Sequence, residues 1–165
     1  MKKWLYGIMG MLLGISTTLA ALYFIPKTTN VDLTLDAVKL DLSGNEIGAA
    51  RITVTGKKLD YLFQKDRLLV QISPLEGLPE ATNRNIDDRV LYHEGYCYVH
   101  LSATDPAQPE ILPAVVLAFS EDLDRWAVRV NTGTGEPAVC YVSSVSGTYS
   151  VKALAQFFHP LVPAP

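Results

Sequence analysis

The chain has 165 residues, with 14 Lys and Arg against 17 Asp and Glu, for a formal net charge of −3. Lys2 and Lys3 hold two of the positive charges, so the rest carries 12 basic against 17 acidic residues, a formal charge of −5. That balance argues against a nucleic-acid partner, whose phosphates call for a basic face, and gives an acidic domain no attraction to anionic lipid.

Residues 4–25, WLYGIMGMLLGISTTLAALYFI, are uncharged over 22 positions. As a helix they would span roughly 33 Å, about the thickness of a bilayer's hydrocarbon core. Lys2 and Lys3 bias the N-terminus to the cytoplasmic side, and Trp4, Tyr6, Tyr23 and Phe24 lie where amphipathic rings favour the headgroup level. Pro26 ends the helix. Residues 1–30 therefore read as a signal-anchor that holds the chain in the lipid bilayer through residues 4–25, with residues 31–165 as one extracytoplasmic β domain. The rival is a cleaved signal peptide read at Thr18-Leu19-Ala20, which would release a secreted domain. Against it, the apolar run continues through Ile25.

Beyond residue 30 the pattern is that of short strands. Val31, Leu33 and Leu35 alternate with polar residues, and Val38, Leu40 and Leu42 continue out of phase, which predicts a bulge near Asp36 or Ala37. Ser43-Gly44-Asn45 turns the chain into the alternation of Ala50, Ile52 and Val54. Leu59 to Phe63 and Leu68 to Ser73 flank a turn at Gln64-Lys65-Asp66. Residues 74–88 show no period and read as an exposed loop.

Val90 to His93 and Tyr96 to Leu101 flank Glu94-Gly95, a two-residue hairpin turn in which glycine supplies positive φ. The register follows: His93 opposite Tyr96, Tyr92 opposite Cys97, Leu91 opposite Tyr98 and Arg89 opposite His100. Val90, Tyr92, Cys97, Val99 and Leu101 form the core face, leaving His93, Tyr96, Tyr98 and His100 on the other. After a proline-rich loop come Ile111 to Phe119, with Pro113 marking a strand start or sheet edge, then Trp126, Val128 and Val130. A turn at Thr132 to Gly135 leads to Ala138 to Ser143, and Ser150 caps a short helix over residues 151–158. About nine short antiparallel strands without crossover helices predict an all-β domain, a β-sandwich or small barrel.

The chemistry-bearing residues are few. No GxSxG or HExxH occurs, and Gly133-Thr134-Gly135 opens a strand rather than the helix that a phosphate loop requires. Three histidines give little to search for a metal site, and His93 and His100, paired to different cross-strand partners, stand too far apart for one ion without further ligands. No cofactor is implied. The paired carboxylates of Asp87-Asp88 and of Glu121, Asp122 and Asp124 are the only material for a glycosidase-like envelope hydrolase, but charged turns between strands look the same.

The residues therefore point to a binding or interaction module with no catalytic chemistry. His93, Tyr96, Tyr98 and His100 are its ligand-contacting side chains, and an envelope polymer or another membrane protein is its partner. Flat rings with polar edges suit sugar rings or a protein surface, unless the C-terminal helix or a second sheet covers them. A purely structural subunit is the third alternative. Cys97 and Cys140 are expected on inward faces, where export would permit a disulfide between them.

Overall fold

A computed structural model describes residues 2–76, 84–101, 114–131 and 138–162. Helix α1 spans Lys2–Phe24 and is followed by β1 (Lys27–Leu40), β2 (Glu46–Asp60), β3 (Arg67–Glu76), β4 (Arg84–Arg89), β5 (Leu91–His93), β6 (Tyr96–Leu101), β7 (Ala114–Phe119), β8 (Arg125–Asn131), β9 (Val139–Ser144) and α2 (Val151–Phe157). The stretch Tyr6–Phe24 of α1 is long and apolar enough to cross a membrane. Its described side chains are exposed along the whole helix.

The protein is mostly β. Among the described residues nine strands form one antiparallel sheet in the order β4-β3-β2-β1-β9-β8-β7-β6-β5. Laid flat, such a sheet would put its two edges about 38 Å apart. Yet the edge strands β4 and β5 are consecutive in the chain, separated by Val90 alone, and one residue reaches only about 7 Å. The sheet therefore curls on itself. β4 lies against β6, and a single core takes Leu35, Ile52, Val70 and Ile86 from one half of the sheet and Val99, Leu117, Trp126 and Val128 from the other. Among the described residues no ladder joins β4 to β5, so the sheet remains open at this seam. Neither a sandwich nor a closed barrel is drawn by its hydrogen bonds.

Asp66 holds the seam. Its carbonyl accepts the Val90 N–H at 2.8 Å, its carboxylate accepts the Tyr61 N–H at 2.8 Å, and the Tyr92 hydroxyl donates to the same carboxylate. Tyr92, expected on the core face, is thus drawn out to this turn and is largely exposed.

Several local expectations change. The out-of-phase apolar residues of β1 require no bulge at Asp36 or Ala37, where pairing with Arg51 and Ala50 is regular; the register shift falls between Lys39 and Leu40. Val31, Leu35 and Ala37 enter the inner core, whereas Val38 and Leu40 lie on the outer face beneath α2. The phase slip therefore marks a strand that becomes buried on both faces. Residues 61–63 belong to the β2–β3 turn rather than to a strand.

The region expected to be a loop contains the end of β3 and all of β4 but its last residue, Arg89. Of the side chains described in β4, Ile86 is buried and Asp87, Asp88 and Arg89 are exposed, as suits an edge strand that resists pairing with other chains. Arg89 accordingly faces Arg67, not His100. Pro113 and the turn at residues 132–135 lie outside the described residues.

The C-terminal helix forms where expected. The Ser150 hydroxyl accepts the Ala153 N–H at 3.3 Å, and Leu154, Ala155 and Phe158 seat on the outer face of the sheet.

Candidate functional site

The β5–β6 hairpin closes through Glu94 and Gly95, both at positive φ (24° and 100°), and its three pairs are those read from the sequence: His93 with Tyr96, Tyr92 with Cys97, Leu91 with Tyr98. Alternation then puts His93, Tyr96, Tyr98 and His100 in one row on the outer face. Their rings meet in succession, His93 to Tyr96 at 5.4 Å between centroids, Tyr96 to Tyr98 at 6.2 Å and Tyr98 to His100 at 5.2 Å, the first and last edge-on.

The row is graded in exposure by α2. Tyr96, only 5 % exposed, packs against Phe157 and Phe158; His93 and Tyr98 are half-buried and His100 is exposed. Tyr96 is thus an anchor of the helix as much as a ligand-facing group. Burial pushes its phenol pKa up, Tyr98 adds to the effect, and a backbone hydrogen bond from Leu161 opposes it.

The four rings line one shallow groove of about 270 Å³ together with Val116, Arg129, Pro160 and Leu161. The row His100, Val116, Arg129 runs straight across β6, β7 and β8, and Arg129 is steered by a hydrogen bond from Nη1 to the Leu161 carbonyl at 3.3 Å. The groove thus offers ring faces, two imidazoles and a guanidinium. Arg129 escaped the sequence reading. Its alternation with Val128 and Val130 marks it as outward-facing, but the long β6–β7 connection conceals that it lies in line with His100.

Cys97 and Cys140 are both buried and free. Cys97 belongs to the inner core and Cys140 to the cluster beneath α2, so the expectation that both face inward fails for Cys140. The reason is again the helix, which makes the outer face of β9 apolar. With the sheet between them the two sulfurs have no path to a bridge.

The carboxylates are engaged locally. Asp87 pairs with Arg67, and Asp88 accepts the Arg89 N–H at 2.6 Å. Asp122 accepts from the Ser120 hydroxyl and from the Asp124 N–H, the first of which leads in holding its pKa below the usual carboxylate value. Asp124 accepts from the Ser146 N–H and hydroxyl at 2.8 and 2.9 Å. Asp87 and Asp88 also line a cleft of about 540 Å³ with Tyr23, Phe63, Lys65, Arg67 and Arg89, at the junction of α1 and the sheet. These carboxylates tie turns and arginines together. Among the described residues no three His, Cys, Asp or Glu side chains gather at metal-ligand range.

No protein-family model, curated protein or solved structure matches the chain.

Proposed function

We propose that the chain is a single-pass membrane protein whose β domain lies outside the cytoplasm and binds a ring-bearing, acidic polymer of the cell envelope, without chemistry of its own. The observation that carries this reading is the groove, in which a row of four aromatic rings ends beside Arg129. Ring faces stack on sugar rings, and a guanidinium recognises carboxylate or phosphate. The length of α1 and the flanking Lys2 and Lys3 support the tether and its orientation.

The engagement of Asp87, Asp88, Asp122 and Asp124 in local bonds weighs against a glycosidase-like hydrolase. In this reading the curled sheet acts as a barrel-like platform, held at the Val90 seam by Asp66.

The test is co-sedimentation of the full-length protein, in detergent micelles, with insoluble cell-wall polymer. Tyr98→Ala and Arg129→Ala should each reduce retention about tenfold, roughly 1.4 kcal/mol, within the range of a lost stacking or charged contact. Retention equal to the parent protein for both variants would sink the groove as the binding site.

A further inference from the structure

α1 ends at Phe24 and β1 begins at Lys27, so only Ile25 and Pro26 separate a membrane-length helix from the sheet. Two intervening residues keep the Phe24 and Lys27 Cα atoms within about 11 Å of each other. The first residue of β1 is therefore held close to the end of the helix, and so is whatever lies beside it. Lys27 pairs with Asp60, the last residue of β2, which puts the β2–β3 turn, residues 61–66, next to the helix terminus.

Two contacts join them. The Phe63 ring stacks parallel to Tyr23 at 6.4 Å between centroids, and Gln64 Nε2 donates to the Tyr23 carbonyl at 2.8 Å. The last carbonyls of a helix have no partner within it and must find one outside it. Gln64 supplies that partner.

At the tip of the same turn Leu62 is 64 % exposed and Phe63 55 %. They stand beside Phe24 and Ile25, which are equally bare, and Lys65 follows with a stem long enough to reach a headgroup. Adjacent large apolar side chains are an unusual choice for a turn tip facing water.

We infer that the β2–β3 turn is a membrane-seating element: Leu62 and Phe63 enter the headgroup–acyl boundary of the bilayer that holds α1, and so fix the domain upright on the membrane. The inference rests on the reading of α1 as a retained transmembrane helix. The groove on β5–β8 is then carried at a set height and angle, not on a freely pivoting head.

The buried state of both native cysteines permits a clean test on the full-length chain. Leu62→Cys and, as a reference, Ser43→Cys in the turn at the far end of the β1–β2 hairpin, about 45 Å along the strand, are each labelled with an environment-sensitive fluorophore. Both are reconstituted in vesicles of phosphatidylethanolamine and phosphatidylglycerol doped with a lipid carrying a nitroxide near the top of its acyl chain. The label at position 62 should be quenched by the lipid nitroxide and shielded from aqueous iodide at least fivefold relative to position 43, and insensitive to salt because the contact is apolar. Retention of the chain on the vesicles with equal iodide quenching at the two positions overturns the seating while leaving the tether intact. Loss of the chain from the vesicles at alkaline pH overturns the tether, and the seating with it.

Discussion

Cys97 and Cys140 are buried on opposite faces of one sheet, with β7 and β8 between their strands. Three strand spacings put them about 14 Å apart along the sheet, twice what a disulfide spans. The native protein should resist a bulky thiol reagent, and denaturation without reductant should expose two reactive thiols. A single mass that takes up label only after reduction would contradict the placement of Cys140.

Burial pushes the Cys97 thiol up to about 11, with Lys58 pulling the other way, and raises Cys140 as well. A pKa higher in the folded than in the unfolded chain means that the folded state binds the proton more tightly. The associated stability is complete below about pH 9 and is lost as pH climbs through about 11, on the order of 2 kcal/mol for Cys97. Denaturant unfolding from pH 8 to 11 should show this decline, and Cys97→Ala should make it shallower. Tyr96 and Tyr141, also raised chiefly by burial, extend the loss to higher pH.

Ile52 and Val128, from the two halves of the sheet, are each 1 % exposed in the same core. Aspartate at either position would bury an unpaired carboxylate and cost about 4 kcal/mol or more, enough to unfold a marginal domain. Thr34→Asp, at an exposed position of β1, should shift stability by less than about 1 kcal/mol. Thermal melts that rank the three alike would refute the assigned faces.

Gly56 of β2 pairs with Val70 of β3. Its φ of +145° disfavours any side chain, and a Cβ there would fall 2.1 Å from the Leu69 carbonyl oxygen and 2.7 Å from the Val70 Cα. Those are backbone atoms that cannot swing aside. Gly56→Ala should therefore cost on the order of 3 kcal/mol in denaturant unfolding, far more than the usual benefit of replacing a strand glycine.

Removing the Asp66 side chain would leave the Tyr61 N–H and the Tyr92 hydroxyl without their shared acceptor. Asp66→Ala should lower stability by about 2 kcal/mol. The informative readout is amide hydrogen exchange: protection should fall first at residues 90–93, where the two edges of the sheet meet, and persist in β7 and β8. A uniform loss would show that Asp66 contributes no local closure.

Arg125 clamps α2. Its guanidinium lies 3.6 Å from the Phe157 ring centre and 5.0 Å from that of Tyr149, and Ser150 caps the helix. Arg125→Ala and Ser150→Ala should each weaken the docking by about 1 kcal/mol. Combined, they should raise thiol labelling of Cys140 roughly tenfold or more through local opening, with Cys97 still protected. Equal acceleration at both cysteines would mean that the helix does not open separately from the sheet.

What the residues alone determine is local. Twenty-two uncharged positions make a membrane-length helix, the alternation of Ile52 with Val54 and of Val128 with Val130 selects an inner face, and Glu94-Gly95 sets the register of its hairpin, because a two-residue turn leaves one pairing. What depends on contacts distant in sequence was settled only by the tertiary structure. β4 could not be read, since Ile86 is the one buried side chain among those described in it, and a lone apolar position shows no alternation. Val38, Leu40 and Cys140 looked inward-facing because sequence reports that a position is apolar, not which of two faces buries it, and α2 covers the outer one. The joining of His93, Tyr96, Tyr98 and His100 with Arg129 required the stacking of β6, β7 and β8, and the exposure of each ring depended on where a seven-residue helix came to rest.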